Sequence, residues 1–204
     1  MREEGAAAAG GRNEVVELVD AIGRHAGTMP RPAAHDFPGH LHGAFSVFLF
    51  DEHGRMLVQR RSMAREHSRG VWSNSCHGHQ RPGEPPVRGA QRRVTEELGV
   101  ASHGLRKVGK AIYQFRDAVT GLAEYEYHHV CVGRVLEAPR PNPAEVVQIK
   151  FAGPAELRRM LAREEFSMWF PAVAEVALSR RAATIMRLEG WDPDHILGGM
   201  EIPT

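Results

Sequence analysis

The feature that most constrains the fold of this chain is the segment from Val71 to Val100, which changes character halfway along. Its first half is rich in small residues and histidine, which is typical of a strand end that opens into a loop. Its second half, Arg88 to Leu98, consists largely of helix formers and stops at Gly99, a residue that favours a helix end. The segment therefore predicts a loop followed by a helix.

The predicted helix carries two pairs of opposite charges at a spacing of four residues. Arg92 precedes Glu96, and Arg93 precedes Glu97. Residues four apart are neighbours on a helix surface, and such pairs commonly support a solvated helix. The charges alone therefore indicate helix stability and no particular chemistry.

The overall charge gives no reason to expect a nucleic-acid partner. The 204 residues include 26 Lys+Arg and 25 Asp+Glu, a formal net charge of +1, so any anion must be bound by a local cluster.

The two cysteines, Cys76 and Cys131, are too few for a disulfide framework. No apolar run approaches the roughly 18 to 20 residues that span a membrane. We expect one soluble, cytoplasmic domain without a membrane span.

The remaining sequence predicts several strands followed by two helices. We expect strands over Val15–Asp20, Ala44–Phe50, Arg55–Arg61, Gly104–Phe115, Glu124–Val135 and Glu145–Phe151, and helices over Pro154–Arg163 and Phe170–Leu188. The prolines between residues 30 and 38 predict an extended, non-helical segment that contains His35. This order indicates an α+β fold. We expect a disordered tail over residues 1–12, one domain over 13–188 and a C-terminal tail over 189–204.

Two motifs in the Val71–Val100 segment carry a family resemblance. Gly78, Glu84 and Arg92, followed by R-V-T-E-E-L-G-V, resemble the Nudix box, except that Arg93 stands where Nudix hydrolases have glutamate. The preceding V-W-S-N-S-C-H-G-H is similar to the T-N-S-x-C-G-H motif of type 1 isopentenyl-diphosphate isomerases, which also have arginine at the place of Arg93. The resemblance implies a Nudix fold, a mixed β-sheet sandwiched between helices.

The resemblance implies a metal site of three histidines and two glutamates. The matching residues are His35, His42, His79, Glu124 and Glu126. Glu124 and Glu126 are two apart on a predicted strand, which points both carboxylates to one face. Mixed imidazole and carboxylate ligands suit Zn²⁺, Mn²⁺ or Mg²⁺, so the ligand chemistry leaves the ion open. His40 has the strand parity of His42 and is an alternative ligand.

The resemblance also implies a site for the substrate diphosphate. The basic positions that match are Arg31, Arg61, Arg65 and Arg93. Arginine suits this role because its guanidinium forms bidentate contacts with phosphate. Glu97 matches a carboxylate that reaches a Mg²⁺ bound to the diphosphate. We therefore expect a prenyl diphosphate as the small-molecule partner, Mg²⁺ with it, and a second divalent ion at the histidines.

The catalytic positions depart from the family pattern at two residues, His77 and Phe115. The resemblance makes Glu126 a proton carrier and Trp169 the aromatic residue that stabilises a carbocation. The family's catalytic cysteine aligns with His77, whereas Cys76 falls one residue earlier and so points to the opposite face of an extended segment. The family's tyrosine aligns with Phe115, and Tyr113 lies on the same face.

Several functions remain open at this point. The chain is an isomerase of isopentenyl diphosphate with His77 in the role of the cysteine, or a paralogue that rearranges or cyclises another prenyl substrate in specialised terpenoid metabolism. Alternatively, it is a non-catalytic prenyl-diphosphate binding module or a weak Nudix hydrolase. We expect a monomer or a weak homodimer.

Overall fold

The computed structural model describes residues 14–198 and residue 200. The described strands are β1 (Val15–Val19), β2 (His25–Pro30), β3 (His42–Phe50), β4 (Met56–Arg61), β5 (Trp72–Ser73), β6 (Cys76–His79), β7 (His103–Arg116), β8 (Ala123–Arg134) and β9 (Val146–Ala152). The described helices are α1 (Arg31–His35), α2 (Pro86–Leu98), α3 (Pro154–Leu161), α4 (Phe170–Ala177), α5 (Arg180–Met186) and α6 (Pro193–Leu197). The predicted tail over residues 1–12 lies outside the described residues. Within the described part of the chain, no helix combines the length and the apolar character needed to cross a bilayer.

Strand β3 is the centre of one mixed sheet. It runs parallel to β8 from the pair His42 and Glu126 to the pair Phe50 and Arg134, and antiparallel to β6. Strand β7 continues the sheet beyond β8, and the β1–β2 hairpin joins β3 on another side. Strand β4 meets β3 only at Met56 and then pairs with β5 and β9. The sheet is therefore curled around β3.

The core lies on both faces of this sheet. Successive side chains of β3 alternate between the faces: Phe45 and Val47 pack with helix α2, whereas Phe48 and Phe50 pack with α4 and α5. A strand buried on both faces reads as a continuous apolar run, as β3 does. The predicted α+β sheet between helices is confirmed.

Two local predictions are wrong. The segment around His35 is not extended, since Arg31–His35 forms helix α1 with proline in its first turn. A proline at the start of a helix loses no hydrogen bond, because the first N–H groups have no partner within the helix. The predicted helix Phe170–Leu188 is two helices, because the Ser179 side chain accepts a hydrogen bond from Ala182 N and begins a new one.

The packed structure continues beyond the predicted domain boundary at Leu188. The Trp191 ring lies 5.3 Å from the Phe50 ring, edge to face, and its Nε1 donates to Gly54 O at 2.9 Å. Ile196 of α6 is buried in the same core. Residues 191–197 therefore form part of the domain and cover one end of the sheet.

Candidate active site and metal centre

The strand register places the candidate catalytic side chains on one face of the sheet. His42 of β3 pairs with Glu126 of β8, and Glu126 pairs with Tyr113 of β7. His77 of β6 pairs with Ser46 of β3. Paired residues on neighbouring strands project to the same face. The register alone therefore brings side chains from four strands together.

Four of the five predicted metal ligands form one tight group. One ligand atom from each of His35, His42, His79 and Glu126 lies within 4.8 Å of all the others. His79 Nε2 is 2.8 Å from Glu126 Oε1, and His42 Nε2 is 3.5 Å from the same oxygen. These distances are short enough for the four groups to contact one ion. His40, the alternative ligand, is exposed and lies outside this group.

Backbone carbonyls hold two of these rings in place. His35 Nδ1 lies 2.8 Å from Arg31 O, and His42 Nδ1 lies 2.7 Å from His40 O. Each contact leaves Nε2 of the ring facing the group. Histidines that bind metals usually donate their other nitrogen to a carbonyl or carboxylate in this way.

The unpartnered atoms of the group fit a cation. His35 Nε2, His42 Nε2 and Glu124 Oε2 are buried without a hydrogen-bond partner, although buried polar atoms in proteins are nearly always satisfied. Burial opposes a charge on His35, but the nearby carboxylates of Glu124 and Glu126 outweigh it and raise its pKa to about 9. The carboxylates therefore favour positive charge here, and the residues present can hold a divalent metal.

Glu124, the fifth predicted ligand, lies beside the group formed by the other four. Its Oε2 is 3.6 Å from His35 Nε2, and its Oε1 is 3.5 Å from Nδ1 of His67. One ligand atom from each of these three residues lies within 4.8 Å of the others, all three residues being buried. No sequence pattern singles out His67, because it lies in the loop between β4 and β5, which has no periodic pattern.

His77 lies between an aromatic ring and the carboxylate of Glu126. Its ring stacks on Trp169 with centroids 4.4 Å apart, and its Nε2 is 3.8 Å from Glu126 Oε1. Burial lowers the pKa of His77 well below 6.5 and outweighs the opposing charge of Glu126, so the imidazole is neutral near pH 7. Cys76 faces the other side of the sheet and packs with Val47. The one-residue offset thus separates the two side chains as expected.

Tyr113 and His128 complete the surroundings of Glu126. Tyr113 donates its hydroxyl hydrogen to Glu126 Oε2 at 2.7 Å, and the hydroxyl oxygen lies 2.5 Å from His128 Nε2. His128 Nε2 is also 2.7 Å from Glu126 Oε2, and its Nδ1 is 3.1 Å from Ser46 Oγ. Phe115 stacks on Tyr113 at 5.0 Å. Tyr113 therefore brings a hydroxyl to the carboxylate of Glu126. The alternation of side chains along a strand, which places Glu124 and Glu126 on one face, also places His128 there, although His128 was not selected from the sequence.

These neighbours determine the charge of the buried carboxylate. Burial alone would raise the pKa of Glu126, but the adjacent His128, which also hydrogen-bonds this carboxylate, holds it well below 4.5. Burial and the charge of Glu126 raise the pKa of Tyr113. Glu126 is therefore ionised and Tyr113 protonated, which makes the tyrosine a stable hydrogen-bond donor.

Two of the predicted diphosphate-binding arginines lie in one buried ion-pair network. Arg93 contacts Glu97 at 2.5 Å and also Glu145, and Arg65 Nη1 contacts Glu145 Oε2 at 2.8 Å. Gln59 Nε2 donates to Glu97 Oε2 at 3.1 Å. Burial would raise the pKa of Glu97, but the charges of Arg93 and Arg65 lower it. Glu145 was missed because it begins a predicted strand and belongs to no motif.

The other two arginines lie apart from that network. The Arg61 guanidinium lies 5.0 Å above the Trp169 ring and donates to His67 O and Ser68 O. Burial and the charge of Arg65 lower the pKa of Arg61 to about 10, so it stays charged at neutral pH. Arg31 Nη2 contacts Glu66 Oε2 at 2.6 Å. Arg61 therefore lies between the Trp169 ring and the loop that contains His67.

Known proteins resemble this chain in sequence and in fold. The model of the NUDIX domain matches residues 40–170. The isopentenyl-diphosphate Delta-isomerase of Streptomyces coelicolor is 48% identical over 163 residues, which cover 80% of this chain and 83% of that protein. The corresponding protein of Nocardia farcinica is 44% identical over 164 residues, with 79% and 93% covered. A crystal structure from Deinococcus radiodurans has a TM-score of 0.60 at 20% identity, covers 86% of this chain and 99% of its own, and shares the fold.

Proposed function

The chain belongs to the isopentenyl-diphosphate Delta-isomerase family of Nudix domains, as its motifs predicted, and on this premise we propose that it isomerises isopentenyl diphosphate to dimethylallyl diphosphate. The observation that carries the proposal is the arrangement around Glu126. One of its carboxylate oxygens faces the histidine group and His77, and the other accepts from Tyr113. An ion-binding group and a proton-transfer group therefore share one buried side chain.

The diphosphate would be bound by arginines at one end of this arrangement. Arg31, Arg61, Arg65 and Arg93 are assigned to it, because guanidinium groups bind phosphate oxygens in bidentate fashion. Arg65 and Arg93 now contact Glu145, so substrate binding requires them to exchange a carboxylate for phosphate. Glu97 would reach a Mg²⁺ carried by the diphosphate. Arg93 stands where Nudix hydrolases have glutamate, and the absence of that carboxylate disfavours hydrolysis of the diphosphate.

The histidine group would hold a second divalent ion, Mg²⁺, Mn²⁺ or Zn²⁺. The ligands assigned to it are His35, His42, His79, Glu124 and Glu126. When bound, such an ion supplies positive charge that stabilises the ionised carboxylates and tunes proton transfer at Glu126. The buried, unpartnered nitrogens of His35 and His42 support this assignment.

The reaction moves a double bond by adding one proton and removing another. Glu126, which is ionised before the reaction, would first take up a solvent-derived proton through its hydrogen-bonded partners Tyr113 and His128, and would then pass that proton to the terminal alkene carbon. The tertiary cation that results would lie against the Trp169 ring, since a cation–π contact contributes roughly 0.5 to 2 kcal/mol. His77 would accept the proton lost from the neighbouring carbon. Because burial lowers the pKa of His77, this base is weak and we expect slow turnover.

Deuterium exchange tests the proposal directly. Purified protein is incubated with isopentenyl diphosphate, Mg²⁺ and Mn²⁺ or Zn²⁺ in D₂O, and dimethylallyl diphosphate is analysed by mass spectrometry. We expect deuterated dimethylallyl diphosphate, and none with the Glu126→Gln variant. Another prenyl product without exchange would instead favour the rearranging paralogue. Binding without turnover would favour a binding module, and released phosphate a hydrolase.

A further inference from the structure

Asn74 is a buried amide beside the proposed catalytic groups, and the mechanism above gives it no role. It lies between β5 and β6. Its Nδ2 donates to Val47 O at 3.2 Å and to Cys76 O at 2.6 Å. Its Oδ1 accepts from Ser73 Oγ at 3.0 Å and from Trp169 Nε1 at 3.2 Å. An asparagine amide has two hydrogens to donate and two lone pairs that accept, so all four are used.

These partners determine which way the amide faces. If the amide were reversed, its NH₂ group would meet the indole N–H of Trp169, which can donate a hydrogen bond but cannot accept one. Its oxygen would then meet the two carbonyl oxygens. Buried polar groups without partners destabilise a fold. Asn74 therefore presents its oxygen to the indole and its NH₂ group to the backbone.

The same amide connects both members of the stacked pair in the proposed site. Through Cys76 O it holds the backbone immediately before His77, and through its own oxygen it holds the Trp169 ring. The His77 and Trp169 rings stack with centroids 4.4 Å apart. One side chain therefore sets the position of the proposed base relative to the aromatic ring.

The orientation of the indole matters because an aromatic ring attracts a cation over its face and not at its edge. Trp169 directly precedes α4, and its side chain can turn about two bonds. The hydrogen bond to Asn74 limits that freedom, because turning the ring would leave a buried N–H unpaired. We propose that Asn74 is a positioning residue, which keeps the Trp169 ring face-on to the carbocation and the His77 ring beside it.

This inference rests on the proposed isomerisation, and the ratio of two products tests it separately. If the ring turns away, water reaches the tertiary cation, forms a C–O bond and loses a proton, which gives a tertiary alcohol diphosphate. We expect Asn74→Ala to slow formation of dimethylallyl diphosphate about twofold to thirtyfold, the range of one cation–π contact, and to raise the ratio of alcohol to dimethylallyl product. Loss of folded protein alone would lower both products and leave their ratio unchanged.

Two further variants keep the test valid if Asn74→Ala folds poorly. Trp169→Phe keeps an aromatic ring but removes the N–H group, and should raise the product ratio in the same direction. The matched control Trp191→Phe removes an indole N–H that donates to Gly54 O in another part of the molecule, and should leave rate and ratio unchanged. In a chain that carries Trp169→Phe, adding Asn74→Ala should lower the rate no further, because the contact is already lost.

The indole N–H signal reports the hydrogen bond without any turnover. The chain has three tryptophans, and the indole signal that disappears from the NMR spectrum of Trp169→Phe belongs to Trp169. Asn74→Ala should move this signal and speed its exchange with solvent.

The outcomes separate the inference from the proposed function. An unmoved indole signal, equal product ratios in the wild type and both site variants, or additive losses of rate in the double variant would each overturn the role of Asn74 and leave the isomerisation standing. Absence of dimethylallyl diphosphate from the wild type would contradict the isomerisation and this inference with it.

Discussion

His77 is the single residue that most affects the expected rate. Its ring fills the space between Trp169 and Glu126 and is a weak base because it is buried. We expect His77→Cys to raise the rate of deuterium exchange about tenfold or more, since one well-matched proton-transfer group contributes roughly 10² to 10⁴ in rate. The rate at which deuterium from D₂O appears in dimethylallyl diphosphate measures the effect.

The matched control for this change is His77→Ser, which makes the same space but provides no thiol. It should show no gain over the wild type. An equal rise in both variants would mean that the space, and not the sulfur, limits the rate. No rise in His77→Cys would contradict the alignment of His77 with the catalytic position.

His129 makes a separate prediction about pH and stability. Burial, and secondarily the charge of Lys107, lowers its pKa from 6.5 to about 4 in the folded chain. Between these values the unfolded chain binds a proton at His129 and the folded chain does not, so stability falls as pH falls from about 6.5 to about 4. His129→Gln should lose less stability over this window, as measured by urea unfolding. Parallel curves for the two proteins would contradict the lowered pKa.

At the scale of the elements, the contact between β7 and α4 depends on a glycine. A Cβ at Gly109 would lie 2.5 Å from Val176 Cγ1, and valine has little rotamer freedom in a helix. We therefore expect Gly109→Ala to destabilise the fold by about 1 to 3 kcal/mol in urea unfolding, a typical cost of overpacking. Adding Val176→Ala removes the methyl group that clashes and should recover part of the loss. If the two effects simply add, the steric explanation is wrong.

The strands and loops also differ in how far they could be predicted from the sequence. Strands β3, β7 and β8 have strong apolar or β-branched patterns, and their period of two placed Glu124 and Glu126 on one face. Strand β6 has no such pattern and forms because its backbone pairs with β3. His67 could not be selected from the sequence, because its position depends on a loop conformation that the Arg61 guanidinium stabilises by donating to the His67 carbonyl. Local patterns therefore predicted the sheet and the candidate ligands on its strands, but not the histidine in the loop.

At the scale of the whole molecule, the proposed ion-binding group joins parts of the chain that are far apart in sequence. His35 ends α1, His42 begins β3, His79 ends β6, and Glu126 lies in β8. Burying these groups together costs free energy unless their charges and lone pairs are satisfied. The fold therefore brings together candidate ligands, and the contacts among them leave Nε2 of His35 and of His42 without a hydrogen-bond partner.

Divalent ions should consequently stabilise the whole fold. An ion that binds only the folded chain adds about 2.7 kcal/mol at a hundred times its Kd, and 1 kcal/mol shifts Tm by about 2 to 4 °C in a domain of this size. We expect Zn²⁺ or Mn²⁺ to raise Tm by about 5 to 10 °C over chelator-treated protein in differential scanning fluorimetry. His79→Ala should lose most of this shift, while His53→Ala, whose side chain is exposed, should keep it. Equal Tm values with and without ions would mean that the buried histidines satisfy one another and bind no metal.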